Sequence, residues 1–210
     1  MLTTDGREKV DKGIVSYFKN GSVDLEFGCG AFKREGFVGI DMIDYDDVDI
    51  GGNVAEIIPA IPSASCRSIY ASHFFCHVLD WQSLLYEAAR ILDDGGELVI
   101  INPHMSNPYA YSDPTHVKFS GLYSLSYYAR DEIFRRKVPL YSDVGLRLKS
   151  VQLCFKAERP FYLSYALGRV FSAVFNLTPF LSEIYEWIFS KYITCYEIRY
   201  VLINGNSTSK

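Results

Sequence analysis

The 210-residue chain has no Cys-x-x-Cys pair, no run of basic residues, no internal repeat and no long uninterrupted apolar segment. Each absence closes off a class. The five cysteines, Cys29, Cys66, Cys76, Cys154 and Cys195, are odd in number and scattered. That excludes a disulfide framework or a zinc ribbon and points to a reducing cytoplasm. Lys and Arg number 21 against 25 Asp and Glu, a net charge of −4. A nucleic-acid backbone is therefore not an expected partner. The longest charge-free apolar stretch, residues 170–182, is interrupted by Pro179 and polar residues. A membrane-spanning helix needs about 20 apolar residues, so no transmembrane segment is expected. The first residues, MLTTDGREKVDKG, lack an apolar core, so no secretory signal is expected.

What is present is apolar material. Hydrophobic residues make up 49% of the chain and aromatics 15%, enough for a sizeable core. Val10, Ile14, Val15 and Phe18 fall at helical spacing, which predicts a leading amphipathic helix over 6–19. Short apolar runs at 23–27, 37–40, 48–50, 68–71 and 97–101 predict strands. A helix over roughly 80–92 should be terminated by Asp94-Gly95-Gly96. Strands alternating with helices imply an α/β fold, a Rossmann-like and mostly parallel sheet covered on both faces. Beyond residue 103 come a loop rich in Pro, Ser, Tyr and His, a helical patch near 122–136 and strands at 147–156 and 195–203. Those last strands enclose an aromatic-rich helical insertion at 161–190, and the final one is expected to be antiparallel. No linker appears. The expectation is one domain over 1–210, with a leading helix (1–20), a cofactor half (21–103) and an acceptor side (104–210).

In an open parallel sheet, ligands sit beyond the carboxyl ends of the strands. There Gly28 and Gly30 flank Cys29 directly after the first strand, Glu26 ends that strand, and Asp41 ends the second. Glycines let a ligand approach the backbone, and a strand-end carboxylate can accept ribose hydroxyls. A dinucleotide fingerprint would need glycine at position 33, where Lys33 stands, and would not place Glu26 beside a pyrophosphate. A nicotinamide oxidoreductase is thereby disfavoured. A carboxylate beside the turn suits a cofactor with an ammonium group and no phosphate, which S-adenosylmethionine is.

Leu25-Glu26-Phe27-Gly28-Cys29-Gly30, Gly39-Ile40-Asp41, Ile69-Tyr70-Ala71-Ser72-His73 and the segment Ala89 to Leu98 resemble, in order, the motifs of class I S-adenosylmethionine-dependent methyltransferases. Asp113-Pro114-Thr115-His116 and the short link between the first two strands resemble a subgroup associated with polysaccharide and lipopolysaccharide biosynthesis. The resemblance implies that Glu26 holds the methionine amino group and that Gly28, Cys29 and Gly30 pack on the cofactor. It further implies that Asp41 binds the ribose and that Asn53 and Val54 flank the adenine. Phe32 stands where the third small residue is usual, and Asn53 where an acid is usual.

His73 and His77 are spaced i, i+4 and would share a helix face. No third ligand is evident, so no metal site is expected; Ser72 and His73 read as cofactor-edge contacts and His77 as a substrate-edge contact, with plain packing as the alternative. His104 is a substrate contact or a loop cap. His116 is the expected general base, oriented by Asp113, with a turn or capping role as the alternative. The insertion reads as a helical pair packed on the domain, or as a surface for peripheral contact with a lipid-linked acceptor or for a homodimer. The expected activity is methyl transfer to a hydroxyl of a glycan or small-molecule acceptor. The rival is a non-catalytic methyltransferase-like partner subunit that binds cofactor weakly or not at all.

Overall fold

A computed structural model describes residues 13–19, 21–156 and 162–205. Seven strands form one sheet: β1 (Val23–Phe27), β2 (Val38–Asp41), β3 (Ile50–Gly51), β4 (Cys66–Ser72), β5 (Leu92–Pro103), β6 (Leu146–Cys154) and β7 (Glu197–Asn204). Their order is β3-β2-β1-β4-β5-β7-β6. β3, β2, β1, β4 and β5 are mutually parallel, and β7 runs antiparallel between β5 and β6. The Rossmann-like sheet expected from the sequence is the observed one. The third strand is shorter than the 48–50 run suggested, starting two residues later and ending one later. Of the leading helix, residues 13–17 are helical with Ile14 and Phe18 buried, while Val10 lies outside the described residues.

The helices are α1 (Val54–Ile57), α2 (Trp81–Ile91), α3 (Pro108–Ser112), α4 (Tyr162–Phe175) and α5 (Pro179–Ile184), the last running into a π-helical turn at Tyr185–Phe189. α2 shows how local chemistry sets an element. Asp80 caps it by accepting from the Ser83 amide at 3.0 Å, a contact worth about 1 kcal/mol. Trp81, Leu84, Leu85, Ala88 and Ile91 then fall on one buried face. The helix ends earlier than the glycine pair suggested. Leu92 is already extended, and Asn204 on β7 donates to the carbonyls of Ala89, Leu92 and Asp93. Asp94-Gly95-Gly96 instead forms a bulge inside β5, where the pairing jumps from Cys66–Leu92 to Ser68–Glu97.

A second correction concerns 122–136, which folds as turns and not as a helix. Leu122, Leu125 and Ala129 are buried as a helix would bury them. Side chains, however, claim the local backbone: Ser124 Oγ takes the Gly121 amide, Asp131 takes those of Ile133 and Phe134, and Glu186 takes that of Leu122. The 161–190 insertion is helical as expected. It packs Phe175 and Phe171 against Phe155, yet leaves Val170, Leu177, Phe180, Trp187 and Tyr192 exposed. No described helix is long and apolar enough to cross a membrane.

Candidate functional site

The carboxyl ends of β1, β2, β4 and β5 share one edge of the sheet, and every residue singled out there from sequence except Val54 has a defined partner or an open position. Gly28 and Gly30 both have positive φ, +65° and +60°. At Gly28 a side chain is also sterically blocked, since a Cβ would lie 2.8 Å from Phe74 Cδ2. Around Gly30 the space is open. Residues 28–37 cross from β1 to β2 without a helix. Three carboxylates tie this short link down. Asp41 accepts from the Gly30 amide through Oδ2 (2.8 Å) and from the Ile43 amide through Oδ1 (2.9 Å). Glu26, buried at the end of β1, accepts from the Arg34 amide at 2.7 Å. Asp49 holds both Lys33 Nζ (2.6 Å) and the Gly39 amide (2.8 Å). Burial raises the Glu26 carboxyl above the ordinary range, against the opposing pull of the Arg34 amide. The Cys29 thiol is pushed up to about 11 by burial and by Asp41, so it packs as a neutral group. Phe32 is turned to solvent, 92% exposed, and fills none of this space. Asn53 accepts from the Ala55 amide as the cap of α1, and Val54 is buried in the core.

At the end of β4 the histidines part company. His73 has φ +54°, which breaks any helix at that point, and Phe75–His77 forms a single 3₁₀ turn. The shared helix face expected for His73 and His77 does not exist. Ser72 closes the strand opposite Ile101. His73 Nε2 lies 2.9 Å from Glu197 Oε1 on β7, and Glu197 also receives Lys156. Burial opposes ionisation of Glu197, but these two partners win and hold its carboxyl below the usual value. Glu197 and Lys156 carry no local sequence signal; only the β5–β7 and β6–β7 pairings bring them in.

The His77 and His116 rings meet at a tilt of 54° with centroids 4.7 Å apart, because the 113–118 loop folds back onto the 3₁₀ turn through the Val117 amide and the Cys76 carbonyl. His77 Nδ1 lies 3.0 Å from Thr115 Oγ1. His116 Nδ1 faces the Ala110 carbonyl at 2.8 Å, and a carbonyl only accepts. In the neutral ring the lone pair is therefore on Nε2, 3.8 Å from Asp113 Oδ2. Asp113 spends its other oxygen on the Thr115 hydroxyl and amide, which depress its pKa. The sequence reading had Asp113 orient the imidazole; the Ala110 carbonyl does that, and Asp113 sits at the other nitrogen.

His104, at the end of β5, is fully buried. The Ser106 amide donates to its Nδ1 at 3.0 Å, so its proton sits on Nε2 and points to Glu186 at 3.3 Å. Glu186 and Glu183 help line a cavity of about 710 Å³ with Met105, Tyr123, Phe180 and Trp187. The sequence reading missed this cavity. Its only local hint was the aromatic density of the insertion.

Residues 38–100 match the model of a methyltransferase-domain family. No curated protein sequence matches the chain. Among solved structures it is similar to a S-adenosylmethionine-dependent methyltransferase from Archaeoglobus fulgidus, with 17% identity over 94% of each chain and a TM-score of 0.57. It is also similar to the YcgJ protein from Bacillus subtilis (13% identity, 94% of this chain and 99% of that one, TM-score 0.52). The [4+2]-cyclase SpnF is a third (13% identity, 96% and 82%, TM-score 0.51). The class these likenesses define is the Rossmann-like methyltransferase fold. Within it, the segment from β2 to β5 carries methyltransferase-domain sequence.

Proposed function

We propose that the chain binds S-adenosylmethionine at the β1–β2–β4 edge and transfers its methyl group to a hydroxyl of a glycan or small-molecule acceptor. The family match and the fold support methyl transfer and this cofactor. The observation that carries the reading is the convergence of Glu26, Gly28, Gly30 and Asp41 on one strand edge, with open space over Gly30. The residues fit the group. Among the described contacts only one oxygen of Glu26 is engaged, which leaves the other for an ammonium. Asp41 keeps its loop rigid through backbone amides, and each oxygen retains a lone pair for a ribose hydroxyl. Asn53 holds its helix cap beside the adenine position, and Ser72 and His73 border the cofactor from β4.

When bound, the cofactor supplies an activated methyl group on a sulfonium, so the protein's work is alignment and removal of one proton. His116, with its tautomer fixed by Ala110, presents Nε2 as the proton acceptor; Asp113 stabilises the resulting cation. Exposed His77 offers an acceptor contact. Buried His104 positions Glu186 at the aromatic cavity, which is suited to the apolar part of an acceptor. The exposed aromatics of the insertion support an acceptor or partner with an apolar surface, a lipid-linked glycan or a second copy of the chain. Five free cysteines fit a cytoplasmic setting.

One observation favours a different reading. Asp41 and Asn53 both spend their side chains on their own loops, as they would in a methyltransferase-like partner subunit that binds cofactor weakly. Thermal shift with S-adenosylmethionine, its demethylated product and NAD decides between them. Binding to the native state stabilises it by mass action, by about 2.7 kcal/mol at a hundredfold excess over Kd. Stabilisation by both sulfur compounds and not by NAD is expected; no shift with either favours the partner subunit.

A further inference from the structure

We propose that Cys76, His77 and His116 form a binding site for a zinc-class divalent cation. Their donor atoms all lie within 4.8 Å of one another, although the residues come from a 3₁₀ turn and from a loop some forty positions later. A cysteine sulfur, which gives up its proton as the metal binds, and two imidazoles are the soft and borderline ligands that select zinc over magnesium or calcium.

The surroundings match what such a site needs. A metal-bound histidine almost always donates its second ring N–H to a carbonyl or carboxylate, and His116 Nδ1 does so to Ala110. That leaves Nε2 as ligand. Asp113 Oδ2 stands 3.8 Å from it, close enough to hold a water or an acceptor oxygen in the fourth position. Zinc bonds of about 2.0–2.3 Å require the donors to draw together. His77 is exposed and has room to swing, whereas Cys76 and His116 are held by packing and by backbone contacts.

The cation would claim the lone pair assigned above to proton acceptance. An acceptor hydroxyl bound in the fourth position would then be acidified by the ion, and its proton would pass to the Asp113 carboxylate. Cation binding itself does not rest on the methyl-transfer reading, and its test reads metal rather than turnover.

The full chain, dialysed against chelator, is titrated with Zn²⁺ and separately with Co²⁺. One zinc per chain should survive desalting. Cobalt should show the intense visible bands of four-coordinate geometry and a thiolate-to-metal band in the near ultraviolet. Cys76→Ser should abolish that last band, and His77→Gln, at an exposed position, should weaken zinc at least tenfold. Absence of stoichiometric zinc from the wild-type chain overturns the site. So does binding that is indifferent to both substitutions. Stabilisation by S-adenosylmethionine is read on the same preparations, so the two readings fail separately.

Discussion

The two halves of the sheet hold their polar groups in different ways. On the β3-β2-β1-β4 side, carboxylates bind amides close by in the chain: Asp41 reaches 2 and 11 residues away, and Glu26 reaches 8. On the β5-β7-β6 side the partners are remote. Glu197 on β7 reaches back 124 residues to His73 at the end of β4, His104 meets Glu186 across 82, and Ser106 meets Tyr185 across 79. The first side is a stiff cradle built by local hydrogen bonds. The second is a polar network of remote partners, Glu197 supplied by β7 and Glu186 and Tyr185 by the insertion. A cofactor common to a whole fold suits the first kind of construction, and an acceptor particular to one protein suits the second.

The sharpest way to break this division is to cripple one side and read the other. His116→Ala should lower turnover roughly 100-fold, the usual scale for a lost general base, while cofactor affinity holds. Steady-state kinetics and calorimetry on the same variant check both halves. Equal losses in both would merge the two sides into one site.

Next in size is Gly28→Ala. The new methyl would sit at φ +65° and 2.8 Å from Phe74 Cδ2. Overpacking and left-handed strain together should cost about 1–3 kcal/mol in denaturant unfolding. Gly30→Ala, with open space around it, carries strain without the clash and should cost less. An equal cost at both positions would mean that Phe74 yields freely.

Asp41→Asn follows. The amide keeps the shape and can still accept from Ile43, but its nitrogen cannot accept from Gly30 and the charge that would bind a ribose is gone. Cofactor affinity should fall about tenfold, the loss of one charge-assisted hydrogen bond. An unchanged Kd by calorimetry removes Asp41 from the cofactor site and leaves it as a loop tie.

The same division decides what the sequence could show. β1, β2, β4, α2 and the glycine turn were legible because apolar spacing and the strand-end glycines are local signals. The turns at 122–128 were not. Leu122, Leu125 and Ala129 have helical spacing, and only the remote Glu186 and the competing Ser and Asp side chains reveal why no helix forms. Asn204 likewise ends α2 from more than a hundred residues away, which no window around Gly95 contains. At the site, His77 and His116 could be named from their motifs. That Cys76 completes a cluster with them required the folded loop.

The smallest expected effect tests the remote side through pH. Glu197 is 6% exposed and accepts from His73 and Lys156. Its pKa is lowered in the folded chain, the two partners outweighing the burial that opposes ionisation. A depressed carboxylate contributes stability that is complete above the unfolded pKa and is lost as pH falls through the folded one. Glu197→Gln keeps the volume and removes the charge. It should cost about 1–2 kcal/mol near neutrality, and the gap to wild type should close on acidification below the ordinary carboxylate range. Urea unfolding of both chains across that range reads it directly. A gap that persists into strong acid would mean that Glu197 contributes shape and not charge, and the His73–Glu197–Lys156 contacts would then add nothing electrostatic to the fold.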